Sequence, residues 1–274
     1  MSTDQGGRRS FALAITGASG AIYATRTMAA LLERGCHLEL VVSDYGRRLL
    51  RDELGDAASV DKLTEFLIAK YGEGVRNGTT TLYSNKDLGA KIASGSQGCE
   101  GMVVVPCSMK TLAGIAHGLS RNLVERAADV MLKERRPLII VPRETPMSLP
   151  QLKNMVLCAQ AGAMMMPAMP AFYQMPKTLA AVAHGLSRNL IERAADVMLK
   201  EKRRLVIVPR ETPMSLPQLR NMVLCAEAGA MILPAMPAFY QMPKTIEDLA
   251  AFVAGKILSG LGFEQHLFTP WKGA

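Results

Sequence analysis

The chain has 274 residues, of which 49% are hydrophobic, and carries a formal net charge of +8. The hydrophobic share excludes a disordered chain, which lacks apolar residues, and an aromatic share of 5% argues against a stacking surface for single-stranded nucleic acid. The positive charge favours anionic partners: phosphates, nucleic acid or acidic lipid.

Strands and helices alternate along the first hundred residues. The apolar run 11–16 predicts a buried strand, followed by a glycine-rich turn and a helix over 21–34 that Gly35 ends. Further strands are predicted at 38–42, 79–83 and 102–106, and helices at 44–54 and 59–71, with Ser59 as the cap of the latter. Apolar strands that alternate with helices predict a parallel sheet covered on both faces.

The second half of the chain contains a repeat. Residues 111–177, here the first segment, recur at 178–244, the second segment, with 10 differences in 67 positions. Two units of this length are too few and too long for a solenoid, so the pattern indicates a tandem duplication. The first segment predicts a helix at 121–135, a strand at 138–141, a helix at 148–162 and a strand at 163–166, and a last helix is predicted at 246–261.

The cysteines indicate the compartment, and the prolines bear on whether the chain has a membrane helix. The five cysteines are widely spread and form no C-x-x-C pair, so they predict neither a disulfide framework nor a zinc site. Reduced thiols favour a cytoplasmic protein. The longest charge-free stretch, 154–176, contains three prolines, and its copy carries Glu227, so we expect no membrane helix.

The residues suited to chemistry follow strands, where such sheets bind ligands. The turn Gly17-Ala18-Ser19-Gly20 would let backbone amides approach an anion at a helix N-terminus, or it is only a tight turn. Tyr23 stands where the dinucleotide fingerprint needs a third glycine.

Two further loops carry charge or hydroxyl groups. Ser108, Lys110 and Thr111 suit a phosphate or a flavin edge, although Ser108 alone would serve as a helix cap. Arg143 and Glu144, repeated as Arg210 and Glu211, lie between prolines, where an arginine can bind a phosphate and a glutamate can move a proton. The alternative for this pair is a solvated surface position.

Several motifs in order resemble one family. They are ITGASGAIY (15–23), VVS (41–43), PCSMKTLAGIAHG (106–118), NLVERAADVMLKERRPLIIVPRETP (122–146) and PAMPAFYQMPKT (167–178). This set resembles the UbiX flavin prenyltransferases. The resemblance implies a Rossmann-like α/β flavoprotein fold, with a parallel sheet and helices on both faces, in a homododecamer.

The resemblance also implies an activity. Such enzymes transfer a dimethylallyl group from dimethylallyl phosphate to N5 and C6 of reduced FMN, and the prenylated FMN serves UbiD-type decarboxylases in ubiquinone synthesis or aromatic acid breakdown. The resemblance implies that no metal is required, and we expect no membrane partner. We expect no nucleic-acid partner, because phosphate ligands already account for the charge.

The resemblance assigns roles to residues of both segments. FMN would be bound by Gly17, Ala18, Ser19, Ser43, Ser108, Met109, Lys110, Thr111, and Arg143 or Arg210. The prenyl phosphate would be bound by Lys256 and, from one segment or the other, by Arg126, Lys133 and Tyr173, or Arg193, Lys200 and Tyr240. Ser19 and one glutamate, Glu144 or Glu211, would be catalytic, with the glutamate assisting proton removal at N5.

The extra segment departs from the family pattern. We expect a disordered tail at 1–10 and a single flavoprotein domain over 11–274, in which one segment completes the fold and the other is inserted or swapped. We favour the first segment, because it continues directly from the Ser108–Thr111 loop. Two other functions stay open: a flavin-dependent cysteine decarboxylase, although Pro170 replaces the asparagine of its PxMN motif, and a non-catalytic flavin-binding protein inactivated by the duplication.

Overall fold

The apolar runs of the first half form one parallel sheet. The computed structural model describes residues 7–95, 99–169, 178–187 and 189–269. The chain divides into unit 1, formed by Met1–Arg143 and Leu157–Met166, and unit 2, formed by Glu144–Val156 and Pro167–Ala274.

Unit 1 contains a six-stranded sheet. Its strands are β1 (Ser10–Ile15), β2 (His37–Val42), β3 (Thr79–Tyr83), β4 (Met102–Cys107), β5 (Leu138–Pro142) and β6 (Met164–Met165). The order is β3-β2-β1-β4-β5-β6, and every neighbouring pair is parallel. This arrangement confirms the predicted Rossmann-like α/β fold. The strand order reverses between β1 and β4, which creates the crevice where such sheets bind ligands.

Helices surround this sheet. They are α1 (Ala21–Leu32), α2 (Asp44–Leu54), α3 (Leu63–Tyr71), α4 (Met109–Ala116), α5 (Leu123–Lys133) and α6 (Leu149–Gln160), the last of which has residues in both units. Gly35, with φ of 74°, follows the turn after α1. A left-handed backbone favours glycine, which explains why the helix pattern stops here.

Three sequence expectations differ from the structure. The helix predicted at 59–71 begins at Leu63, because a 3₁₀ turn over Val60–Lys62 precedes it, and the Ser59 side chain makes no capping hydrogen bond. The helix predicted at 121–135 begins at Leu123, where the Asn122 side chain accepts from the Glu125 amide. The predicted tail at 1–10 includes Ser10, which is buried in β1, whereas residues 1–6 lie outside the described ranges.

Unit 2 contains the second segment and the last helix. Its elements are α7 (Thr178–Ala183), α8 (Leu190–Lys200), β7 (Val206–Ile207), α9 (Leu216–Glu227), β8 (Met231–Ile232) and α10 (Ile246–Leu261). β7 and β8 pair in parallel, and Met147 forms an antiparallel bridge with Ile232 on β8. The predicted bounds of the last helix are confirmed by α10.

The two segments share local structure but not burial. Asn189 caps α8 as Asn122 caps α5, and the Cys158 and Cys225 thiols each approach the carbonyl of the matching leucine, Leu112 or Leu179. Since local contacts are alike, the difference in burial comes from neighbouring elements. In unit 1, α5 packs on β4 and β5, and β4 pairs along β5. In the described part of unit 2, β7 pairs with β8 alone.

One finding concerns membranes. Among the described residues, no helix combines the length and the apolar character needed to cross a bilayer.

The close approach of α2 to β1 is testable through Gly46. A Cβ built at Gly46 would lie 2.5 Å from the backbone oxygen of Ile15, so we expect Gly46→Ala to lower the free energy of unfolding by about 1–3 kcal/mol. At Gly74, a Cβ would meet only Glu33 Cγ at 3.5 Å, and Gly74→Ala should change stability by less than about 0.5 kcal/mol. Urea unfolding followed by circular dichroism measures both variants, and equal effects would contradict this account.

Candidate functional site

A polar pocket opens at the point where the strand order of unit 1 reverses. Its volume is about 440 Å³, within the range of small-molecule sites. The pocket is lined by Thr16, Gly17, Ser43, Asp44, Tyr45, Asn85, Ser108, Lys110, Thr111, Asn122, Val124 and Glu125. Five of these, Gly17, Ser43, Ser108, Lys110 and Thr111, are predicted FMN-binding residues, which the fold brings together from three strand ends.

Two helices begin at this pocket. Ser43 caps α2 by accepting from the Gly46 amide, and Ser108 caps α4 by accepting from the Thr111 amide. The Ser108 and Thr111 hydroxyl oxygens also lie 3.0 Å apart. Helix N-termini carry partial positive charge and unpaired amides. Together with Lys110, they make the pocket suitable for an anionic group.

Thr16 joins the two central strands, a role that sequence reasoning missed. Its hydroxyl donates to the Pro106 carbonyl at 2.9 Å and accepts from the Ser108 amide at 2.8 Å. These bonds tie the end of β1 to the end of β4 and so position the Ser108 loop. No local pattern reveals this contact, because the partners are about 90 residues apart.

Gly17 is required by a close approach. A Cβ at this position would overlap the Tyr45 Cβ. The turn after β1 therefore lies directly against the start of α2, which brings Gly17 and Ser43 to the same pocket.

The helix N-terminus at α1 binds an anion from the chain itself. The buried Glu53 carboxylate accepts hydrogen bonds from the Ser19 hydroxyl at 2.5 Å, from the Gly20 amide at 3.0 Å and from the Ala21 amide at 2.7 Å. Ser19 and Ala18 are buried and do not line the pocket. The Gly20 and Ala21 amides at the start of α1 therefore bind Glu53, which no sequence motif indicated.

A second buried carboxylate forms part of the pocket wall. Glu125 is 2% exposed, and its carboxylate accepts from Arg121 Nε at 3.1 Å, Nη2 at 2.9 Å and the Arg121 amide at 3.0 Å. Burial by itself raises the pKa of Glu125, but hydrogen bonds from the Arg121 side chain and backbone bring this pKa below its usual value. The carboxylate is therefore charged at neutral pH.

Other predicted residues of unit 1 lie outside this lining. Arg126 Nε donates to the Ala93 carbonyl at 3.3 Å, and its Nη1 donates to Asp129 at 3.2 Å. Lys133 Nζ lies 3.9 Å from Glu134. Met109 begins α4 beside the pocket, and Arg143 follows β5, where its amide donates to the Cys107 carbonyl.

Unit 2 brings two of the predicted substrate-binding residues together. The Tyr240 and Phe252 rings lie 6.1 Å apart in a T-shaped arrangement, and Lys256 Nζ lies 5.6 Å from the centroid of the same Phe252 ring. Lys256 also lies 5.7 Å from the Phe268 ring. Tyr240 and Lys256 therefore belong to one aromatic cluster.

The remaining predicted residues are dispersed. Arg193 is exposed, and Lys200 pairs with Asp196 at 2.7 Å. Arg210 lines an apolar cavity beside α10. Glu144 and Glu211 each accept from the amide of the following threonine at 3.2 Å, so the two loops have the same local turn. Tyr173 lies outside the described residues.

Comparison with known proteins gives the family. The Flavoprotein family model matches residues 1–176 and again 170–257. The flavin prenyltransferase UbiX of Halalkalibacterium halodurans is 35% identical over 261 residues, which cover 95% of this chain and 92% of that protein. UbiX of Methanocaldococcus jannaschii is 42% identical over 185 residues, covering 67% of this chain and 90% of that protein. The chain belongs to the UbiX flavin prenyltransferase family.

A solved structure agrees with this placement in the UbiX family. It is a dodecameric FMN-dependent UbiX-like decarboxylase from Escherichia coli O157:H7, with a TM-score of 0.51 and 38% identity over 65% of this chain and 89% of that one. In this UbiX-family chain, no group of three or more His, Cys, Asp or Glu side chains among the described residues could hold a metal ion.

The Arg121–Glu125 pair predicts a pH-dependent stability difference. Arg121→Met leaves a buried carboxylate without its cation, so we expect the variant to have a lower free energy of unfolding than the wild type at pH 7. Since the pKa of Glu125 is lowered by folding, its contribution is complete above about pH 5 and is lost as the pH falls. The loss caused by Arg121→Met should therefore shrink towards pH 3.

The matched control for this prediction is Arg48→Met. Arg48 and Asp52 have the same spacing, but both side chains are exposed, so the change should cost less than about 0.5 kcal/mol. Urea unfolding at several pH values gives both numbers. A loss of unfolding free energy in Arg121→Met that does not change with pH would contradict the charged state of Glu125.

Proposed function

We propose that this chain is a flavin prenyltransferase that transfers a dimethylallyl group from dimethylallyl phosphate to reduced FMN. The observation that carries the proposal is the polar pocket at the β1–β4 crevice, in a chain of the UbiX family. Its volume, its two helix N-termini and Lys110 suit a flavin with a phosphate group. Gly17, Ser43, Ser108, Lys110 and Thr111 would hold the FMN.

The reaction replaces a phosphate ester bond with bonds to the flavin. Reduced FMN, when bound, supplies N5 and C6 as the atoms that receive the dimethylallyl carbons, while the C–O bond of the donor breaks and phosphate leaves. The bond to C6 would use the electron pair of the donor's C=C bond, whose other carbon would gain a proton, while N5 and C6 would each lose one. Glu144 would accept the N5 proton, a role that typically contributes 10²–10⁴-fold in rate.

The departing phosphate needs positive charge. Lys256 and Tyr240 would bind this phosphate from their shared cluster around Phe252, and a cation there stabilises the charge that develops as the C–O bond breaks. Arg126 and Lys133 would complete this phosphate site from a neighbouring subunit. Arg193 and Lys200 are the equivalent residues of the second segment. Tyr173 is the equivalent of Tyr240 in the first segment.

We assign the FMN site to the first segment. The pairing of β5 with β4 supports this choice, because it places Arg143 directly after a strand of the sheet that forms the pocket. Ser19 would act through Glu53, which receives its hydroxyl hydrogen bond. The assembly would be a homododecamer in the cytoplasm, and its prenylated FMN would pass to a UbiD-type decarboxylase.

The activity is tested by anaerobic incubation with reduced FMN and either dimethylallyl phosphate or dimethylallyl diphosphate. Mass spectrometry of the extracted flavin should show the gain of one dimethylallyl unit, and the two donors in parallel identify the phosphate form used. Flavin that binds but stays unmodified would contradict the proposal. Carbon dioxide release from a peptide with a C-terminal cysteine would instead show a cysteine decarboxylase.

Lys110 provides a prediction on cofactor affinity. Lys110→Gln removes a cation from the pocket lining, and loss of a hydrogen bond to a charged group should weaken FMN binding about tenfold or more. Lys244→Gln is the matched control, because Lys244 also precedes a threonine but is not among the residues that line the pocket. Fluorescence titration of FMN measures both. Equal FMN affinity in the two variants would show that Lys110 does not bind FMN.

Variants of Glu144 and Glu211 test which segment completes the active site. Glu144→Gln should lower turnover at least tenfold more than Glu211→Gln, since a single segment completes each site in this proposal. The rate of prenylated FMN formation at saturating FMN, followed by mass spectrometry, gives the turnover of each variant. The free energy of unfolding of each variant checks that the fold is kept. Equal losses from both variants would exclude a single functional segment.

A further inference from the structure

An apolar face of unit 2 is open. We call it the α8–β7 face, and it surrounds a cavity of about 600 Å³. Its lining residues are Thr178, Leu179, Val182, Leu190, Ile191, Ala194, Ala195, Met198, Leu205, Val206, Ile207, Val208 and Pro209. Leu190 is 82% exposed and Ile191 69% exposed. Apolar side chains exposed in one contiguous patch mark an interaction surface.

In unit 1, most of the residues that match this face are buried. Leu123 and Val124, which match Leu190 and Ile191, are both 0% exposed. They are covered because α5 packs on β4 and on the 3₁₀ turn over Lys91–Ala93, and because their amides donate to Asn85. The second segment has no further copy of these elements. The α8–β7 face therefore has the composition of a sheet interior, and β7 has an edge without a strand neighbour among the described residues. Such edges readily pair with another chain.

The number of strands determines which partner is available. Each chain has one β4, and β4 already lies between β1 and β5. Each chain also has two segments able to fill the place of β5. Exchange of segments between chains does not change these numbers, so every chain keeps one segment with no β4 to cover it. The same face on another chain is apolar in the same way and has the same open strand edge.

We propose that the α8–β7 face is a dimerisation surface that pairs with its own copy on a second chain. A two-fold axis makes such an interface self-complementary. A residue beside that axis lies near its own copy, and none of the lining residues is charged, so self-pairing brings no like charges together among them. The flanking Lys200 is already paired with Asp196.

The two-fold axis determines the strand geometry. The two β7 edges pair antiparallel, and the two α8 helices lie on the same side of the joined strands, with the axis perpendicular to the sheet. In this register one residue of the edge lies opposite its own copy, with Cα atoms about 4.5–5.5 Å apart. That separation is within the range that a disulfide bridges. The proposal concerns unit 2 and does not depend on prenyltransferase activity.

Cysteine variants of the full chain test this pairing. Val206→Cys, Ile207→Cys and Val208→Cys are prepared separately, and the five native cysteines are buried and free. After mild oxidation, at least one variant should form a disulfide-linked dimer from most of its chains, seen by non-reducing electrophoresis and assigned by peptide mass. Met231→Cys is the control, because β8 pairs with β7 on one edge and is bridged by Met147 at Ile232 on the other.

A second pair of variants tests the helix contribution. In the best cross-linking background, Leu190→Asp with Ile191→Arg should slow dimer formation at least tenfold, and both positions are exposed, so the fold of unit 2 is kept. Leu224→Glu is the matched control: Leu224 is 38% exposed and so is its counterpart Leu157, so it should leave the rate unchanged. Cross-linking no greater than in Met231→Cys, or unaffected by the charged pair, overturns the proposal.

Discussion

The pairing capacity of β4 is the constraint on which the structure depends. A strand has two edges, and β4 gives one to β1 and the other to β5. Two segments that differ at 10 of 67 positions therefore meet different surroundings. Leu123 is fully buried, whereas Leu190, the same residue in the second segment, is 82% exposed. This sequence is buried where β4 and the 3₁₀ turn over Lys91–Ala93 cover it, because the hydrophobic effect needs a neighbouring surface as much as an apolar side chain.

The candidate site follows from the same strand. Because β4 pairs with β1, the strand order reverses there and the carboxyl ends of both strands border a crevice. Thr16 links the two ends through hydrogen bonds to Pro106 and Ser108. The Lys110 loop is thereby held against the turn at Gly17. Most of the pocket precedes the repeated segments in the chain, so its shape rests on the β1–β4 pair.

The two buried carboxylates of unit 1, Glu53 and Glu125, each have hydrogen-bond donors as partners. Glu53 satisfies the amides at the start of α1, and Arg121 holds the buried Glu125 in its charged form. A buried carboxylate needs such partners, because an unpaired charge in a low-dielectric interior is costly. Two amides at the start of α1 thus bind Glu53, while α2 and α4 begin at the pocket wall beside Lys110.

The sequence alone predicted most elements, because hydrophobic periodicity and capping are local. These include the parallel strands, the helix over Ile246–Leu261 and the pocket loops at Gly17, Ser43 and Ser108, but not the pocket residues Asn85 and Glu125. It did not reveal Glu53 or Thr16, because their partners lie 34 and about 90 residues away. The sequence also could not decide which segment joins the six-stranded sheet, since both carry nearly the same residues. Only the tertiary structure decided this, because β4 has a single edge to offer beside β1.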